Sequence, residues 1–360
     1  MAPFRTILIG AGKMGRNHLR VLSEDPRFAV VAVIDPRAKE LFPGKTAFAL
    51  APTLEALEAQ AAIEWDCAVI AAPTPLHTQL AREMLKRRKP FLIEKPLARS
   101  PEECRELVSL AESSGVPMAV GHLERFNPAV RKLRELVQSG WLGRPVHFSF
   151  TRVGGYPEGN QLGNNVLLDL AVHDLDVLQF LIGPVRVQAA VAHSAWRHGV
   201  FDTAEILLTA DGGQSASMHV NWVTPTKVRS VRVTGTQGVC FVDYILQSCQ
   251  MFGGNMLRRG ASDDFDFASL QEEYKSTDRV EFGVVKQEPL KVQLEMFHRL
   301  LSGQPTEICT PADAASAVAL ADEALRIAVR SVHGVPELVR SVEGAQLDAA
   351  AEPRRIKQSS

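Results

Sequence analysis

Three glycines lie directly behind an apolar run near the start of the chain, in the stretch ILIGAGKMG. They are Gly10, Gly12 and Gly15, and the residues that follow recur at helical spacing. A strand, a glycine turn and a helix in this order are typical of a dinucleotide-binding fold. The first glycine permits a tight turn, the second lets a pyrophosphate approach the backbone, and the third lets the helix pack on the strand.

The glycines alone are weak evidence for this interpretation, because 25 of the 360 residues are glycine. An acidic residue further along the chain supports it. Residues 28–34 form a second apolar run, and Asp35 follows it, where a carboxylate can accept hydrogen bonds from ribose hydroxyls. Asp35 would repel a 2′-phosphate and therefore favours NAD, although the nearby Arg37 leaves NADP open. The predicted cofactor-binding residues here are Gly10, Gly12, Lys13, Met14, Gly15 and Asp35.

Length and composition narrow the class of protein. A chain of 360 residues exceeds what one core usually supports, so we expect two domains. A formal net charge of -1 without a dominant basic block argues against a nucleic-acid partner. Strand-sized apolar runs and the lack of a cleavable leader argue against a membrane partner. Five scattered cysteines without a CxxC spacing argue against zinc or disulfides and favour a cytoplasmic location.

The pattern of apolar runs predicts an α/β protein of two parts. Strands and helices alternate over residues 1–121, which predicts a doubly wound parallel sheet, the Rossmann arrangement. Residues 122–340 contain consecutive strands joined by short turns, which predicts an α+β domain on a largely antiparallel open sheet. Residues 253–287 read as an insertion or mobile loop, and residues 341–360 as a tail.

The open sheet also predicts an assembly. Residues 217–222 alternate between polar and more apolar side chains, so the sheet has two usable faces. Helices of the same domain can cover one face, whereas the other needs a partner or remains an exposed patch. We therefore expect a homodimer or a homotetramer.

Two strand-end motifs carry the candidate chemistry. In FLIEKPLA a buried strand ends at Glu94 and Lys95, and a lysine at that edge of the sheet can donate to a substrate oxygen. The alternative is a surface ion pair before a turn. In DLAVHDLD, Asp169 lies one helical turn before His173, so the carboxylate could orient the imidazole as a general base. The alternatives are a surface ion pair or a core histidine, and neither spacing is that of a zinc protease, so we expect no metal.

The combination of GAGKMG, AAPTPLH, EKPLA and DLAVHDLD resembles the Gfo/Idh/MocA family of sugar and cyclitol oxidoreductases over nearly the whole chain. The resemblance implies a catalytic role for Lys95 and an active-site pair of Asp169 and His173, with the histidine as the usual candidate base. It also places Thr74 and His77 in the cofactor-side loop, with Glu94 and Lys95 beside the cofactor. The chain departs from the family pattern at residues 163–165 and 171, which leaves the identity of the substrate less certain than the reaction.

A narrower resemblance, over residues 120–130, 152–157 and 221–238, is to members of the family that oxidise the C3 hydroxyl of UDP-N-acetylglucosamine with NAD. Their 3-keto product goes to a pyridoxal-phosphate aminotransferase that makes a 3-amino sugar for lipid A. Arg125 and Arg152 could meet the diphosphate, as could Lys227 and Arg229, although solvated surface positions explain the last two equally well. The predicted substrate-binding residues are Lys95, Arg125, Arg152, Tyr156, Asn165, Asp169 and His173.

Two other functions remain open. A dehydrogenase of a free sugar or of inositol would keep Lys95, Asp169 and His173 but would need no diphosphate site. A protein that binds NAD without turnover is a different class, and the presence of both Lys95 and His173 argues against it.

Overall fold

The computed structural model describes residues 2–60, 63–155, 165–196, 199–253 and 278–332. The predicted tail, most of the predicted loop at 253–287, and Tyr156 lie outside these residues.

The first sheet is parallel, with strand order β3-β2-β1-β4-β5-β6, and its strands are β1 (Phe4–Ile9), β2 (Phe28–Ile34), β3 (Ala49–Ala51), β4 (Cys67–Ile70), β5 (Phe91–Glu94) and β6 (Met118–Gly121). Its helices are α1 (Lys13–Glu24), α2 (Ala38–Leu41), α3 (Leu54–Glu58), α4 (His77–Lys86) and α5 (Pro101–Ser114). Strands β4, β5 and β6 are buried along their whole length, as expected of a parallel sheet covered on both faces. The doubly wound sheet is therefore confirmed, and its strand order reverses between β1 and β4.

The second sheet has the order β14-β13-β12-β11-β7-β10-β9-β8, and its strands are β7 (Pro145–Val153), β8 (Val185–His193), β9 (Thr203–Ala210), β10 (Ser215–Asn221), β11 (Val228–Gly235), β12 (Gly238–Asp243), β13 (Ser248–Gly253) and β14 (Asp278–Phe282). All neighbouring strands are antiparallel except β7 and β10. The largely antiparallel open sheet is thus confirmed. The prediction of a loop over 253–287 is wrong at its end, because β14 forms the edge of this sheet.

Helices cover one face of the second sheet. They include α6 (Pro128–Gln138) and α7 (Val172–Ile182), whose apolar residues share a core with the inward side chains of the strands. On the opposite face Val191, Leu207 and Phe241 are exposed. Period-2 alternation places them there, since their neighbours in the strands point into the core. A homo-oligomer that covers this face stays a prediction.

Two C-terminal helices pack on the sheets in different ways. Helix α8 (Pro289–Leu301) packs on the first sheet, where Phe297 stacks on Phe28 with ring centroids 6.3 Å apart. Helix α9 (Pro311–Val332) contributes to the cores of both sheets. The sequence analysis assigned both helices to the second domain, but α8 packs on the first sheet and α9 contributes to both cores.

Candidate active site

The candidate site centres on Lys95, which follows β5 at the carboxyl edge of the first sheet. Its Nζ donates to the backbone oxygen of Asp169 at 2.9 Å and to Oδ1 of the same residue at 3.2 Å. The other carboxylate oxygen, Oδ2, accepts a 3.0 Å hydrogen bond from Nε1 of Trp222, which follows β10. The structure thus brings together two predicted site residues that are 74 positions apart, and Trp222 holds the carboxylate from the other side.

Asp169 reaches this position from a π-helical turn, Leu167–Ala171, that leads into α7. Asn165 caps the turn, because its backbone oxygen accepts from the Asp169 amide at 3.1 Å and its side-chain oxygen accepts from the Leu168 amide at 3.0 Å. Single π-helical turns are frequent at functional sites. The prediction of a regular helix from residue 167 is wrong for this first turn, and the spacing argument that placed Asp169 beside His173 assumed such a helix.

His173 lies in the first turn of α7, and its Nδ1 is buried without a hydrogen-bond partner among the residues described. Burial lowers the pKa of His173 well below its usual value, and the charges of Lys95 and Arg152 lower it further. The imidazole is therefore neutral near pH 7 and free to accept a proton. In the described part of the chain, no hydrogen bond joins it to Asp169, whose carboxylate is held by Lys95 and Trp222 instead.

Arg152, predicted to contact the substrate, is buried on β7 and already paired. Its Nε and Nη2 donate to the two carboxylate oxygens of Asp174, each at 2.9 Å, and Nη1 donates to Glu124 at 3.1 Å. Burial opposes the charge of Arg152, but the two carboxylates outweigh it and raise the pKa of Arg152. These bonds occupy the guanidinium within the second domain, so a substrate contact by Arg152 stays a prediction.

Arg125 has a similar environment. Nε and Nη2 donate to Asp176 at 2.8 and 2.6 Å, and Nη1 donates to Asp313 at 3.1 Å. Asp176 also lies near His122 and Cys309, with ligand atoms of these three buried residues all within 4.8 Å of one another. Histidine, aspartate and cysteine are residue types that bind metal ions. Here, however, the guanidinium of Arg125 already neutralises the Asp176 carboxylate.

The glycine loop fits a pyrophosphate. A Cβ atom at Gly15 would lie 2.0 Å from the backbone oxygen of Gly10, so only glycine lets α1 pack this closely. Gly12 is the N-cap of α1, supplies no side-chain cap, and has nothing within 4 Å of where a Cβ would stand. The space beside the start of α1 is therefore open, and the unpaired amides of a helix N-terminus are the groups that bind a phosphate.

Asp35 follows β2 and connects this loop to the strand end. Its Oδ2 accepts from the amide of Ala11 and its Oδ1 from the amide of Arg37, both at 2.8 Å. Each carboxylate oxygen retains a second lone pair, so these bonds leave acceptor capacity for ribose hydroxyls. The described residues accordingly fit the adenosine side of NAD.

The remaining predicted cofactor residues lie around the same edge of the sheet. Lys13 is exposed and Met14 half-buried on α1, and Thr74 opens the 3-10 turn Thr74–Leu76. His77 is buried instead, with its ring nitrogens 2.9 Å from the backbone oxygen of Ala72 and 2.8 Å from that of Pro96. It ties the end of β4 to the turn after β5, so a direct cofactor contact by His77 stays a prediction.

Glu94 has a partner that sequence reasoning missed. Its Oε1 lies 2.7 Å from Nε2 of His18 on α1, and both side chains are almost fully buried. The pair connects the helix behind the glycine loop to the strand that presents Lys95.

The other missed residues, Trp222, Glu124 and Asp174, are partners of side chains far away in sequence. One signal was available for Asp174, since charged residues inside an otherwise apolar helix require buried counter-charges. No short-range pattern reveals which residue supplies them.

Comparison with protein families agrees with this geometry. Residues 4–122 match the model of an oxidoreductase family with an NAD-binding Rossmann fold, and residues 130–240 match the C-terminal domain model of the same group. The chain belongs to the Gfo/Idh/MocA family. This confirms the resemblance and NAD as the cofactor of the Rossmann domain. In the described part of the chain, no helix is long and apolar enough to cross a membrane.

Relatives in the family act on different substrates. A protein of Amycolatopsis mediterranei, proposed to be the oxidoreductase subunit of a UDP-kanosamine synthase, is 31% identical over 65% of this chain and 72% of its own. An inositol 2-dehydrogenase of Rhizobium meliloti is 28% identical over 64% of this chain and 73% of its own. The structure of UDP-N-acetylglucosamine 3-dehydrogenase from Acidithiobacillus ferrooxidans aligns with a TM-score of 0.73 at 25% identity, covering 92% of this chain and 99% of that one.

Proposed function

We propose that this protein oxidises the C3 hydroxyl of UDP-N-acetylglucosamine to the 3-keto sugar nucleotide. The observation that carries the oxidation is the contact of Lys95 with Asp169, beside a histidine that burial keeps neutral. Together they provide a hydrogen-bond donor for a reacting oxygen and an acceptor for its proton. Bound NAD would supply the acceptor for the hydride of the alcohol.

Lys95 is suited to hold the reacting oxygen. An ammonium group has three N–H donors, and two of them point at the backbone and carboxylate oxygens of Asp169. The third is available to the substrate hydroxyl. As the hydroxyl proton leaves, the positive charge stabilises the developing alkoxide, and Asp169 together with Trp222 fixes the direction of the donor.

His173 is the candidate base. A neutral imidazole can take the hydroxyl proton, and the buried surroundings that lower its pKa favour the neutral form before each reaction. Protonation of His173 places a positive charge near Lys95 and Arg152, so the proton should be passed on readily after the hydride has left.

The sugar nucleotide is supported by the relatives. Two of them carry a UDP-sugar in their names, the Amycolatopsis mediterranei protein and the Acidithiobacillus ferrooxidans enzyme. We further propose that the 3-keto product is consumed by a pyridoxal-phosphate aminotransferase that forms a 3-amino sugar.

Substrate competition tests the proposal. Purified protein with NAD is given UDP-N-acetylglucosamine, UDP-glucose, N-acetylglucosamine or myo-inositol, and NADH absorbance is followed. We expect UDP-N-acetylglucosamine to be the best substrate, and oxime trapping with NMR to locate the keto group at C3. Free N-acetylglucosamine should lose turnover as well as affinity, because the nucleotide contributes binding energy far from the reacting carbon.

The inositol relatives support a second candidate, an inositol dehydrogenase that uses the same three residues. NADH formation from myo-inositol with none from any UDP-sugar would establish it. No NADH from any compound, with NAD bound, would favour the non-catalytic alternative.

A further inference from the structure

Arg229 on β11 lies opposite Arg152 on β7 in the sheet register. Its Nη1 donates to the backbone oxygens of Val153 and of Val228, the latter at 2.9 Å, and its Nη2 donates to that of Gly154 at 2.9 Å. The guanidinium is therefore held at the ends of two strands by carbonyl groups. Among the described residues, no carboxylate forms an ion pair with it.

Arg152 and Arg229 differ in their hydrogen-bond partners. Arg152 has two carboxylates within hydrogen-bond distance, whereas the partly buried Arg229 donates, among the described residues, to backbone oxygens only. A charge withdrawn from water without a counter-charge is unfavourable. Burial lowers the pKa of Arg229 to about 10, and the charge of Arg152 lowers it further, while the carboxylates of Asp174, Glu124 and Asp169, which form no hydrogen bond with it, act in the opposite direction. Such an environment suits a cation whose counter-ion arrives with a ligand.

A second cation converges on the same place. Lys227 is exposed, and a Cβ atom built on Gly155 would lie 2.8 Å from its Cε, so the lysine stem crosses directly above the glycine. That same point is 3.7 Å from Lys227 Nζ and 3.7 Å from Arg229 Nη2. Because Gly155 has no side chain, the Lys227 stem can cross it, and both cationic groups lie within 3.7 Å of the same point.

We propose that Arg229 and Lys227 form an anion site over Gly155 that holds the phosphate attached to the sugar of the substrate. The site is connected to the reacting groups through the backbone: Gly154, which accepts from Arg229, donates its amide to the backbone oxygen of Asn221 at 2.8 Å, and the next residue, Trp222, donates to Asp169. In a sugar nucleotide only C2 separates the phosphate-bearing C1 from C3, so a phosphate held here would keep C3 near Lys95 and His173. This inference rests on the proposed function for the identity of the ligand.

Binding of UDP and of inorganic pyrophosphate tests the site directly. Titration calorimetry is performed on the full chain saturated with NAD, so that the pyrophosphate site of the glycine loop is filled. We expect Arg229→Gln to weaken UDP binding about 10- to 100-fold, as loss of a charged hydrogen bond does, and Lys227→Gln about tenfold. Arg229→Lys should retain part of the affinity. Arg105→Gln on α5, which removes an equal charge from an exposed pair, should have no effect.

Lys227→Gln is the variant that should fold normally, because Lys227 makes no hydrogen bond among the described residues. The affinity for NAD should be unchanged in every variant. Equal UDP affinity in wild type and in the double variant Arg229→Gln/Lys227→Gln would overturn the anion site, and so would a wild type that binds neither UDP nor pyrophosphate. If UDP-N-acetylglucosamine is nevertheless turned over, the proposed function survives that loss. If only inositol is turned over while UDP binding depends on Arg229, the anion site stands and the proposed function is wrong.

Discussion

The two halves of the candidate site are built in different ways. In the half formed by the first sheet, one strand-turn-helix-strand motif supplies the cofactor-binding groups: Gly12 begins α1, and Asp35 follows β2. In the half formed by the second sheet, partners come from afar: Asp169 meets Lys95, and Arg152 meets Glu124. The first half can therefore be recognised from a short motif, whereas the second depends on how the whole chain packs.

This difference separates binding from selectivity. The cofactor half is a backbone arrangement that many sequences can form, provided that glycine occupies the closely packed positions. The substrate half uses side-chain charges in a partly buried environment, where each charge needs a specific partner. Changes in the second half should therefore alter stability and substrate choice more than changes in the first half do.

The largest effect is expected from breaking the Arg152 network. Arg152→Met leaves Asp174 buried without its counter-charge, which typically costs about 3–5 kcal/mol of stability. The midpoint of urea unfolding, followed by circular dichroism, measures the loss. Arg105→Met removes an arginine of an exposed pair on α5 and should leave the midpoint unchanged. Equal midpoints for the two variants would show that Arg152 is not held as tightly as its contacts imply.

The next effect concerns Lys95. Lys95→Ala removes the donor to the reacting oxygen and should reduce kcat at least ~100-fold, the usual cost of losing one preorganised donor. Trp222→Phe keeps an aromatic side chain but loses the Nε1 donor to Asp169, so a smaller loss of about tenfold is expected. Turnover near wild type in Lys95→Ala would remove it from the mechanism.

The fold was predictable from sequence, but the pairing of charges was not. Period-2 alternation and the strand-helix rhythm predicted both sheets, but the three-residue β3 was too short to recognise, and β13 and the edge strand β14 were not predicted. Arg152 and Arg125 were predicted as substrate ligands because a cation in sequence carries no sign of its partner. Their carboxylates lie 22 and 51 positions away, and no motif marks these pairs in the way that the glycine turn marks Asp35.

The pH dependence of the reaction tests the environment of His173. Burial and the charges of Lys95, Arg152 and Arg229 lower the pKa of His173 well below its usual value. A base is active when deprotonated, so kcat/KM should remain constant as the pH falls through 6.5 and decline only below that. Arg229→Gln removes one of these charges and should shift the decline to higher pH. His173→Ala should lower the rate about 100-fold and should also abolish the decline of kcat/KM at low pH. If the decline is unchanged in His173→Ala, another group causes it.

The smallest effect is expected at Asp35, in the half whose geometry is local. Its charge should make NAD preferred over NADP, and Asp35→Ser should shift the ratio of kcat/KM values toward NADP by about tenfold, equivalent to ~1.4 kcal/mol. Because Asp35 also accepts from the amides of Ala11 and Arg37, serine changes the loop as well as the charge. Asp35→Asn separates the two, since it keeps an acceptor and removes the charge. A shift in Asp35→Asn as large as in Asp35→Ser would assign the preference to charge, whereas a wild type that uses NADP as well as NAD would contradict the ribose assignment.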